Sequence, residues 1–215
     1  MKIIEPSFKI LDDINKMEIL EKLELCGRVC YKSEYLISDN SAETFILKII
    51  ESGHESVIEH EKITVKFVCD RGISHEIVRH RIASYSQEST RYCNYSKNMF
   101  DKELTFIKPF FWKIDSEMYS IWLEQMQSSE KCYIKLLDNG ATPEQARTIL
   151  PNSLKTELIV TMNLREWRHF FKLRTSKKAH PQMKELCVPL LIKMYDLLPV
   201  LFDDILKDAE INIIP

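Results

Sequence analysis

Residues 155–174 read KTELIVTMNLREWRHFFKLR, and this stretch decides the fold class because a strand pattern passes directly into a helix pattern. Residues 155–162 predict a β-strand. Residues 164–174 predict an amphipathic helix whose apolar face has four members: Leu164, Trp167, Phe170 and Phe171.

Outward from this stretch, strands and helices mix without strict alternation, which favours the α+β class. Helices are predicted over 17–31, 41–52, from Gly72 through 79–81, over about 116–138, and over 182–207 with bends at Pro189 and Pro199. Residues 142–145 carry an N-cap threonine, a proline and a glutamine, which predicts a short helix that ends before Pro151. Strands are predicted over 61–69 and within 104–108. The chain has no internal repeat and no Gly/Ser/Pro linker, so we predict one domain over 1–215.

The composition excludes several function classes. Thirty Lys and Arg against 32 Asp and Glu leave a formal net charge of −2, so no general basic field attracts nucleic acid or an anionic membrane. The four glycines are too far apart for a dinucleotide-binding or phosphate-binding glycine loop. An anion must therefore be bound by a local cluster of side chains.

Cysteine usage and hydropathy predict a cytoplasmic protein. The six cysteines form no C-x-x-C pair, which is typical of reduced thiols. The start of the sequence lacks the layout of a signal peptide, and no apolar run reaches the roughly 20 residues of a membrane span.

Arginine is concentrated in two short regions of a lysine-rich chain. Seven of nine arginines lie there: Arg79, Arg81, Arg91, Arg147, Arg165, Arg168 and Arg174. Clustered guanidinium groups indicate recognition of phosphate or carboxylate, and structural ion pairs are the alternative. The polar stretch 83–92 is equally consistent with a site for a polar heterocycle and with a solvated loop.

Arg174 occupies an unusual position on its predicted helix. It follows Trp167 by seven residues and Phe170 by four, so its side chain leaves from the apolar face. The polar face is predicted to carry Arg165, Arg168 and His169. An arginine on an apolar face must extend to solvent, pair with another group or meet a ligand, and we favour the ligand.

Four of the six histidines, His54, His60, His75 and His80, lie within 27 residues of sequence. Their spacing matches no metal-binding motif, so we predict no metal site. The weaker alternative is a zinc-dependent hydrolase.

Several motifs together resemble the flavin-dependent thymidylate synthases. The central one is Arg79-His80-Arg81 followed by seven residues and Ser89, extended by Arg91. Further matches are 53–56 with 59–60, 146–147 with 150–151, and 163–165 through 173–174. The resemblance covers about residues 50–185.

The resemblance implies an α+β subunit with a mixed or antiparallel sheet flanked by long helices. It also implies a homotetramer with active sites at subunit interfaces. The implied reaction methylates dUMP to dTMP, with FAD as cofactor and with 5,10-methylenetetrahydrofolate and NADPH as co-substrates.

Carried over by position, the resemblance also assigns site residues. The dUMP contacts would be Glu76, Arg79, Gln87, Glu88, Ser89, Arg91, Arg147 and Arg174. The FAD contacts would be Ser56, Arg79, His80, Arg81, Gln87, Asn163, Arg165 and His169. His54 would lie beside the flavin, where the folate approaches.

The residues favour one of two routes for methylating uracil. One route adds a cysteine thiolate to carbon 6, but no cysteine lies in the motif and Cys93 comes closest. The other stabilises negative charge on the ring while a reduced flavin delivers hydride. We therefore expect Arg174 to stabilise that charge and Ser89 to be a hydrogen-bonding activator. The alternative function is a nucleic-acid-binding module that uses the basic-aromatic stretch 79–95.

Overall fold

The structure is a computed structural model that describes residues 1–95 and 103–210. Its helices are α1 (Lys16–Val29), α2 (Ser41–Glu51), α3 (Arg71–Ile77), α4 (Glu117–Asp138), α5 (Pro143–Ala146), α6 (Leu164–Arg174), α7 (Pro181–Leu197) and α8 (Pro199–Asp208). Its strands are β1 (Lys2–Ile4), β2 (Ser7–Ile10), β3 (Lys62–Asp70), β4 (Ala83–Gln87), β5 (Thr105–Ile107) and β6 (Lys155–Asn163). Short 3₁₀ helices lie at Glu34–Leu36, Glu55–His60 and Arg147–Ile149.

Four strands form one sheet in the order β2-β3-β6-β4. Thr64 of β3 contacts Thr161 of β6, and Lys66 pairs with Glu157, so these two strands run in opposite directions. β1 and β5 form a separate parallel pair in which Lys2 lies opposite Thr105. The predicted α+β class is confirmed.

Local sequence signals account for several helix boundaries. α5 begins with a capping box in which Thr142 and Gln145 satisfy each other's backbone N–H groups, and Pro143 occupies its first turn. α6 begins where the side chain of Asn163 accepts a hydrogen bond from the backbone N–H of Glu166 at 2.8 Å. These starts agree with the sequence-based predictions.

The prediction that a helix continues through Arg79-His80-Arg81 is wrong, because α3 ends at Ile77. The spacing that buries Ile73 and Ile77 would place Arg81 next on the same face, and burying that charge would be costly. The chain then forms β4, whose residues are alternately half-buried and exposed. The solvated-loop alternative is therefore wrong for 83–87.

The predicted terminal helix over 182–207 is two helices. The backbone leaves the helical region at Leu198, which has φ −138° and ψ 65°. Proline disfavours the helical conformation in the residue before it, and Pro199 therefore starts a new helix. Pro189 is accommodated inside α7.

The chain divides into two compact units. Unit 1 comprises Met1–Ser7, Lys66–Arg79 and Tyr85–Ile159, and unit 2 comprises Phe8–Val65, His80–Ser84 and the residues from Val160 onward. The single domain predicted over 1–215 stays a prediction.

In unit 1 the core is built on α4. Its buried side chains include Trp122 and Tyr133, which form a cluster with Phe106 of β5 and with Leu154. The indole N–H of Trp122 donates to the hydroxyl of Ser153 at 3.0 Å, so the one polar atom of this ring is satisfied.

In unit 2 the core is built on α6. The rings of Trp167, Phe170 and Phe171 pack against one another, and Phe171 also contacts Phe202 of α8. The indole N–H of Trp167 donates to the carbonyl of Ile63 at 2.9 Å. The predicted apolar face of 164–174 is therefore the buried face of α6.

Across the part of the chain that the structure describes, no helix is both long enough and apolar enough to cross a membrane.

Candidate active site

His80 is the centre of a buried polar cluster in unit 2. Its Nδ1 lies 2.9 Å from Oε1 of Glu166, and its Nε2 accepts a hydrogen bond from Nε of Arg174 at 3.1 Å. The imidazole also meets the ring of Phe170 edge-on, with centroids 4.8 Å apart. One motif histidine thus contacts both the first and the last turn of α6.

The hydrogen bonds fix the protonation state of His80. An arginine Nε can only donate, so Nε2 of His80 must carry a lone pair and Nδ1 must carry the proton. Burial lowers the pKa of His80, as does the guanidinium of Arg174, while the hydrogen bond to Glu166 raises it; the net shift is downward. His80 is therefore a neutral imidazole in this arrangement.

Arg174 finds a partner on the apolar side of its helix. It lies in the last turn of α6 and is half-buried. The structure shows the pairing alternative, because its Nε donates to Nε2 of His80 at 3.1 Å. Whether a ligand contacts the same guanidinium stays a prediction.

Arg168 differs from its predicted placement on the polar face of the helix. Its side chain is 1% exposed and donates to both carboxylate oxygens of Asp204, at 2.8 and 2.7 Å, and to Glu55 at 3.0 Å. It also donates to the carbonyl of Leu201. Arg168 is thus a structural arginine, and the ion-pair alternative is correct at this position.

A groove of about 460 Å³ lies in unit 2 beside the exposed side of α6. Its lining comprises Glu55, Glu59, Ile82, Asn163, Arg165, Glu166, His169 and Lys172. Three predicted FAD contacts, Asn163, Arg165 and His169, are therefore brought together. In this structure Arg165 donates to Oε1 of Glu59 at 2.6 Å, an ion pair that the sequence analysis did not predict.

The other unit 2 residues that the resemblance assigns are on the surface. His54 precedes the 3₁₀ helix Glu55–His60, and Ser56 lies within it. Both residues and Arg81 are exposed. The rings of His80 and His169 meet edge-on at 5.5 Å, so the FAD assignments of these two histidines fall in one place.

Glu88 is the centre of a second polar cluster, in unit 1. Its Oε1 accepts from the hydroxyl of Tyr95 at 2.8 Å, and its Oε2 accepts from Nζ of Lys155 at 3.0 Å and from the backbone N–H of Glu157 at 3.2 Å. Burial lowers the pKa of Lys155, but the hydrogen bonds to Glu157 and Glu88 raise it more. Burial and Glu88 both raise the pKa of Tyr95, so its phenol keeps its proton.

Gln87 points inside unit 1, where its amide nitrogen donates to the hydroxyls of Ser74 at 2.9 Å and Thr156 at 3.3 Å. The hydroxyl of Ser89 accepts from the backbone N–H of Arg91 at 3.3 Å.

The basic residues assigned to dUMP in unit 1 are more exposed. Arg91 pairs with Glu144 at 3.1 Å and lies over the ring of Tyr92 at 5.4 Å. Arg79 and Arg147 are exposed, and Glu76 is half-buried. These guanidinium groups are accessible to a solute.

Cys93 lies six residues beyond the end of β4 and is not poised as a nucleophile. Burial raises the pKa of its thiol, and the nearby carboxylate of Glu88 raises it further. The thiolate is the nucleophilic form of cysteine, so this environment disfavours covalent attack.

Among the described residues, His80, Glu166 and His169 are close enough to share a cation, with ligand atoms within 4.8 Å of one another. Both ring nitrogens of His80 are already hydrogen-bonded, and Arg174 brings a positive charge to one of them. The donor chemistry therefore does not suit a metal, and the absence of a metal site stays a prediction.

Comparison with known proteins decides the family. Residues 14–200 match the Thy1 family model, described as thymidylate synthase complementing protein. A flavin-dependent thymidylate synthase of Geobacter sulfurreducens is 35% identical over 187 residues, which cover 84% of this chain and 79% of that protein. The chain belongs to the flavin-dependent thymidylate synthase family. The resemblance stated from the motifs is thus confirmed.

Other flavin-dependent thymidylate synthases share more identity over a shorter stretch. The Pyrococcus furiosus protein is 40% identical over 159 residues, and the Pyrococcus horikoshii protein is 41% identical over 156 residues. These alignments cover 74% and 72% of this chain. They span 64% and 63% of the two relatives, less than two thirds of their length.

A solved structure supports the fold of this flavin-dependent thymidylate synthase family member. A UMP/dUMP methylase, PolB from Streptomyces cacaoi bound with 5-Br dUMP, superposes with a TM-score of 0.78 and covers 97% of each chain. Its sequence identity is 22%, so the likeness bears on the fold alone.

Sequence reasoning assigned no site role to Glu59, Lys155 or Glu166, although Glu59 belongs to one of the matched motifs. Glu166 lies three residues before His169 on one helix face, which is a weak local signal. Its actual partner, His80, is 86 residues away in the sequence. No periodicity of α6 could reveal that contact.

Proposed function

We propose that this chain is an FAD-dependent thymidylate synthase that methylates dUMP to dTMP. The carbon donor would be 5,10-methylenetetrahydrofolate, and NADPH would reduce the flavin. Membership of the flavin-dependent thymidylate synthase family supports the proposal. The observation that carries it is Arg174, a guanidinium on the apolar side of α6 held by the motif residue His80.

The donor set of the groove in unit 2 fits FAD. Arg165 and Lys172 offer positive charge for the diphosphate, and Asn163 and His169 offer hydrogen bonds. Bound FAD would supply the hydride-transfer chemistry that amino-acid side chains lack. Because Arg165 is paired with Glu59 and Lys172 with Glu55, phosphate binding would require both cations to share or exchange these carboxylates. Ser56, Arg79, His80, Arg81 and Gln87 would complete the contacts, with His54 on the folate side.

The residues of unit 1 would bind the nucleotide. Arg79, Arg91 and Arg147 would contact the phosphate or the base carbonyls, since guanidinium groups bind both through paired donors. Glu88, oriented by Tyr95 and Lys155, would hold a ribose or base donor. Glu76, Gln87 and Ser89 would supply the remaining hydrogen bonds.

Arg174 would stabilise negative charge on the uracil ring, with Ser89 as a hydrogen-bonding activator. His80 is neutral and accepts from Nε of Arg174, so it adds no second positive charge beside the guanidinium that would face an electron-rich ring. The raised pKa of Cys93 supports a reaction without a cysteine nucleophile.

We further propose a homotetramer with active sites at subunit interfaces and a cytoplasmic location, as the family resemblance implies. The alternative nucleic-acid module over 79–95 has little support. Glu144 and Glu88 pair with cations beside this stretch, which weakens its attraction for a phosphate backbone.

The decisive assay measures dTMP formation from dUMP and 5,10-methylenetetrahydrofolate. We expect turnover to require both FAD and NADPH, and the purified protein to become yellow on FAD addition. Failure to form dTMP with all four compounds present would exclude the proposal.

Two variants separate the proposed route from covalent catalysis. Arg174→Ala should lower kcat by about 10²–10³, the usual effect of losing one charge-stabilising donor. Cys93→Ala should keep turnover within a few-fold, and Lys178→Ala, which removes an exposed cation, is the matched control. A turnover lost in Cys93→Ala and kept in Arg174→Ala would reverse the assignment.

A further inference from the structure

Glu166 and Arg174 lie at opposite ends of α6 and are connected by one imidazole. We infer that Glu166 is a positioning residue for Arg174 and that it acts through His80. The inference rests on the proposed function, because Arg174 is the group expected to face the uracil ring. Glu166 belongs to none of the ligand contacts that the family resemblance assigns.

The direction of the hydrogen bonds orders Glu166, His80 and Arg174 as a linear hydrogen-bonded triad. Arg174 can only donate, so it requires an acceptor at Nε2 of His80. His80 offers that lone pair only when its proton is on Nδ1, where Oε1 of Glu166 accepts it at 2.9 Å. The carboxylate thus selects the tautomer that can hold the arginine.

The geometry of α6 allows a single ring to connect its ends. Side chains on a helix point back towards its N-terminus, so the long side chain of Arg174 extends towards the first turn. Glu166 is held there because its backbone N–H donates to Asn163 at 2.8 Å. His80 and Glu166 are 4% and 8% exposed, so water competes little for their hydrogen bonds.

Holding Nε restricts the rotation of the guanidinium plane. A charge-stabilising group is effective when it is oriented before the reaction, because no reorganisation is then needed in the transition state. Loss of Glu166 would leave the imidazole able to take the other tautomer, whose Nε2–H would oppose the N–H of Arg174. The guanidinium would then lose its fixed orientation while its charge remained.

The same hydrogen-bonded triad predicts that kcat/KM depends on pH. Among the described residues, charged or titratable groups that act on His80 include Glu166, Arg174 and His169, which lie on α6. Protonation of His80 would remove the acceptor from Nε2 and release Arg174. The carboxylate of Glu166 favours the protonated form of His80. Glu166→Gln should therefore move the acidic limb of the pH profile of kcat/KM to lower pH.

Three variants test the hydrogen-bonded triad in an assay that measures dTMP formation. Glu166→Ala should lower kcat for dUMP by roughly ten- to a hundredfold, the size of effect seen when a partner that orients a functional histidine is removed. Glu166→Gln, whose carbonyl can still accept from Nδ1, should recover most of that loss. Asp203→Asn neutralises a carboxylate that is 46% exposed and pairs with Lys207, so it serves as the control.

An NMR measurement provides a readout apart from turnover. In protein labelled with ¹⁵N-histidine, the His80 ring, assigned by its absence in His80→Gln, should show the Nδ1–H tautomer in wild type and Glu166→Gln. It should show a mixture in Glu166→Ala. An Nε2–H ring in the wild type, or an unchanged pH limb and tautomer in both Glu166 variants, would overturn the inference.

The two proposals fail in different ways. A wild-type protein that forms no dTMP would refute the proposed function. The tautomer of His80 would still show whether Glu166 positions the imidazole. If Glu166→Ala does not fold, Glu166→Gln and the wild-type spectrum decide. If the acidic limb of the kcat/KM profile of Glu166→Gln stayed at the wild-type pH, the positioning role of Glu166 would be contradicted.

Discussion

Arg168 illustrates how a single buried guanidinium can stabilise unit 2. Its partners, Asp204 and Glu55, come from α8 and from the 3₁₀ helix Glu55–His60. The ion pair holds the pKa of Arg168 above and that of Asp204 below the ordinary value, although burial opposes both shifts. One side chain thus connects three elements.

Removing this guanidinium should be strongly destabilising. We expect Arg168→Ala to lower the free energy of unfolding by about 2–3 kcal/mol, because the variant loses the hydrogen bonds that a buried guanidinium donates to Asp204, Glu55 and the carbonyl of Leu201. Urea denaturation measures the loss. Lys207→Ala removes an exposed cation that is 73% accessible and should leave stability nearly unchanged. Equal losses in the two variants would contradict this role.

His80 should make folding stability depend on pH. Burial is the main reason that its pKa is lowered in the folded chain. Above about pH 6.5 the ring is neutral in both the folded and the unfolded state. Below this pH the unfolded chain takes up a proton that the folded chain resists, so stability falls by up to about 1.4 kcal/mol per pH unit.

The measurement compares the protein with His80→Gln, which cannot titrate at this position. The difference in unfolding free energy, wild type minus variant, should shrink as the pH falls from about 7.5 to about 5, on either side of the histidine pKa. A difference that stays constant over this range would show that His80 does not resist protonation.

Arg168 and Arg174 also show how far the positions of single residues could be predicted from the sequence. Helical spacing identified Arg174 as leaving the apolar face but placed Arg168 on the polar face. The two differ in their partners, since Arg168 meets Asp204 36 residues later and Arg174 meets His80 94 residues earlier. Such pairs depend on tertiary structure and leave no mark in local periodicity.

At the scale of elements, α1 approaches α2 closely at one glycine. A Cβ atom on Gly27 would lie 2.6 Å from Cε1 of Phe45 and 3.3 Å from Cγ1 of Val57. Gly27→Ala gains up to about 1 kcal/mol of helix propensity, but overpacking typically costs about 1–3 kcal/mol. We expect a net loss of about 1 kcal/mol in the free energy of unfolding.

Denaturant unfolding of three proteins tests this packing. Glu21→Ala changes an exposed position of the same helix and should lie within about 0.5 kcal/mol of wild type. If Gly27→Ala were instead more stable than wild type, Phe45 would have moved aside and the close approach would have no energetic role.

Elements with strong local signals were predicted best. α4, α5 and α6 combine helical spacing with a cap at their first turn, and all three were expected from the sequence. β4 was missed because four of its five residues are serine, tyrosine or glutamine, which show no apolar alternation, although the strand is paired with β6 in the sheet. The end of α3 was missed because apolar spacing does not show where a charge would become buried.

At the scale of the whole molecule, the motifs identified the family, whereas the physical patterns alone indicated a fold class and the recognition of an anion by clustered arginines. The scattered residues 53–60, 79–91 and 163–174 belong together through function. No composition or periodicity argument connects them. Conversely, the ion pairs of Arg165 with Glu59 and of Arg91 with Glu144 could be identified only in the folded chain.

The proposed homotetramer requires a surface that can be buried between copies. In unit 1, α4 turns Met118 and Ile121 outward, at 52% and 61% exposure, and Ile114 just before the helix is 66% exposed. Phe110 and Phe111 add apolar area to the same segment of the chain. Exposed apolar residues grouped in this way are typical of subunit interfaces.

We therefore expect Met118→Glu/Ile121→Glu to dissociate the assembly. Light scattering should give about four times 25.4 kDa for the wild type and a smaller mass for the double variant, because charges in the core of an interface are strongly unfavourable. Circular dichroism should remain that of a folded chain, since both positions are exposed within one subunit and glutamate is a good helix former. Gln127→Glu adds one charge at another exposed position of α4 and should keep the wild-type mass. If interfaces build the active site, the double variant should also lose dTMP formation, whereas a monomeric and active wild type would refute the shared-site arrangement.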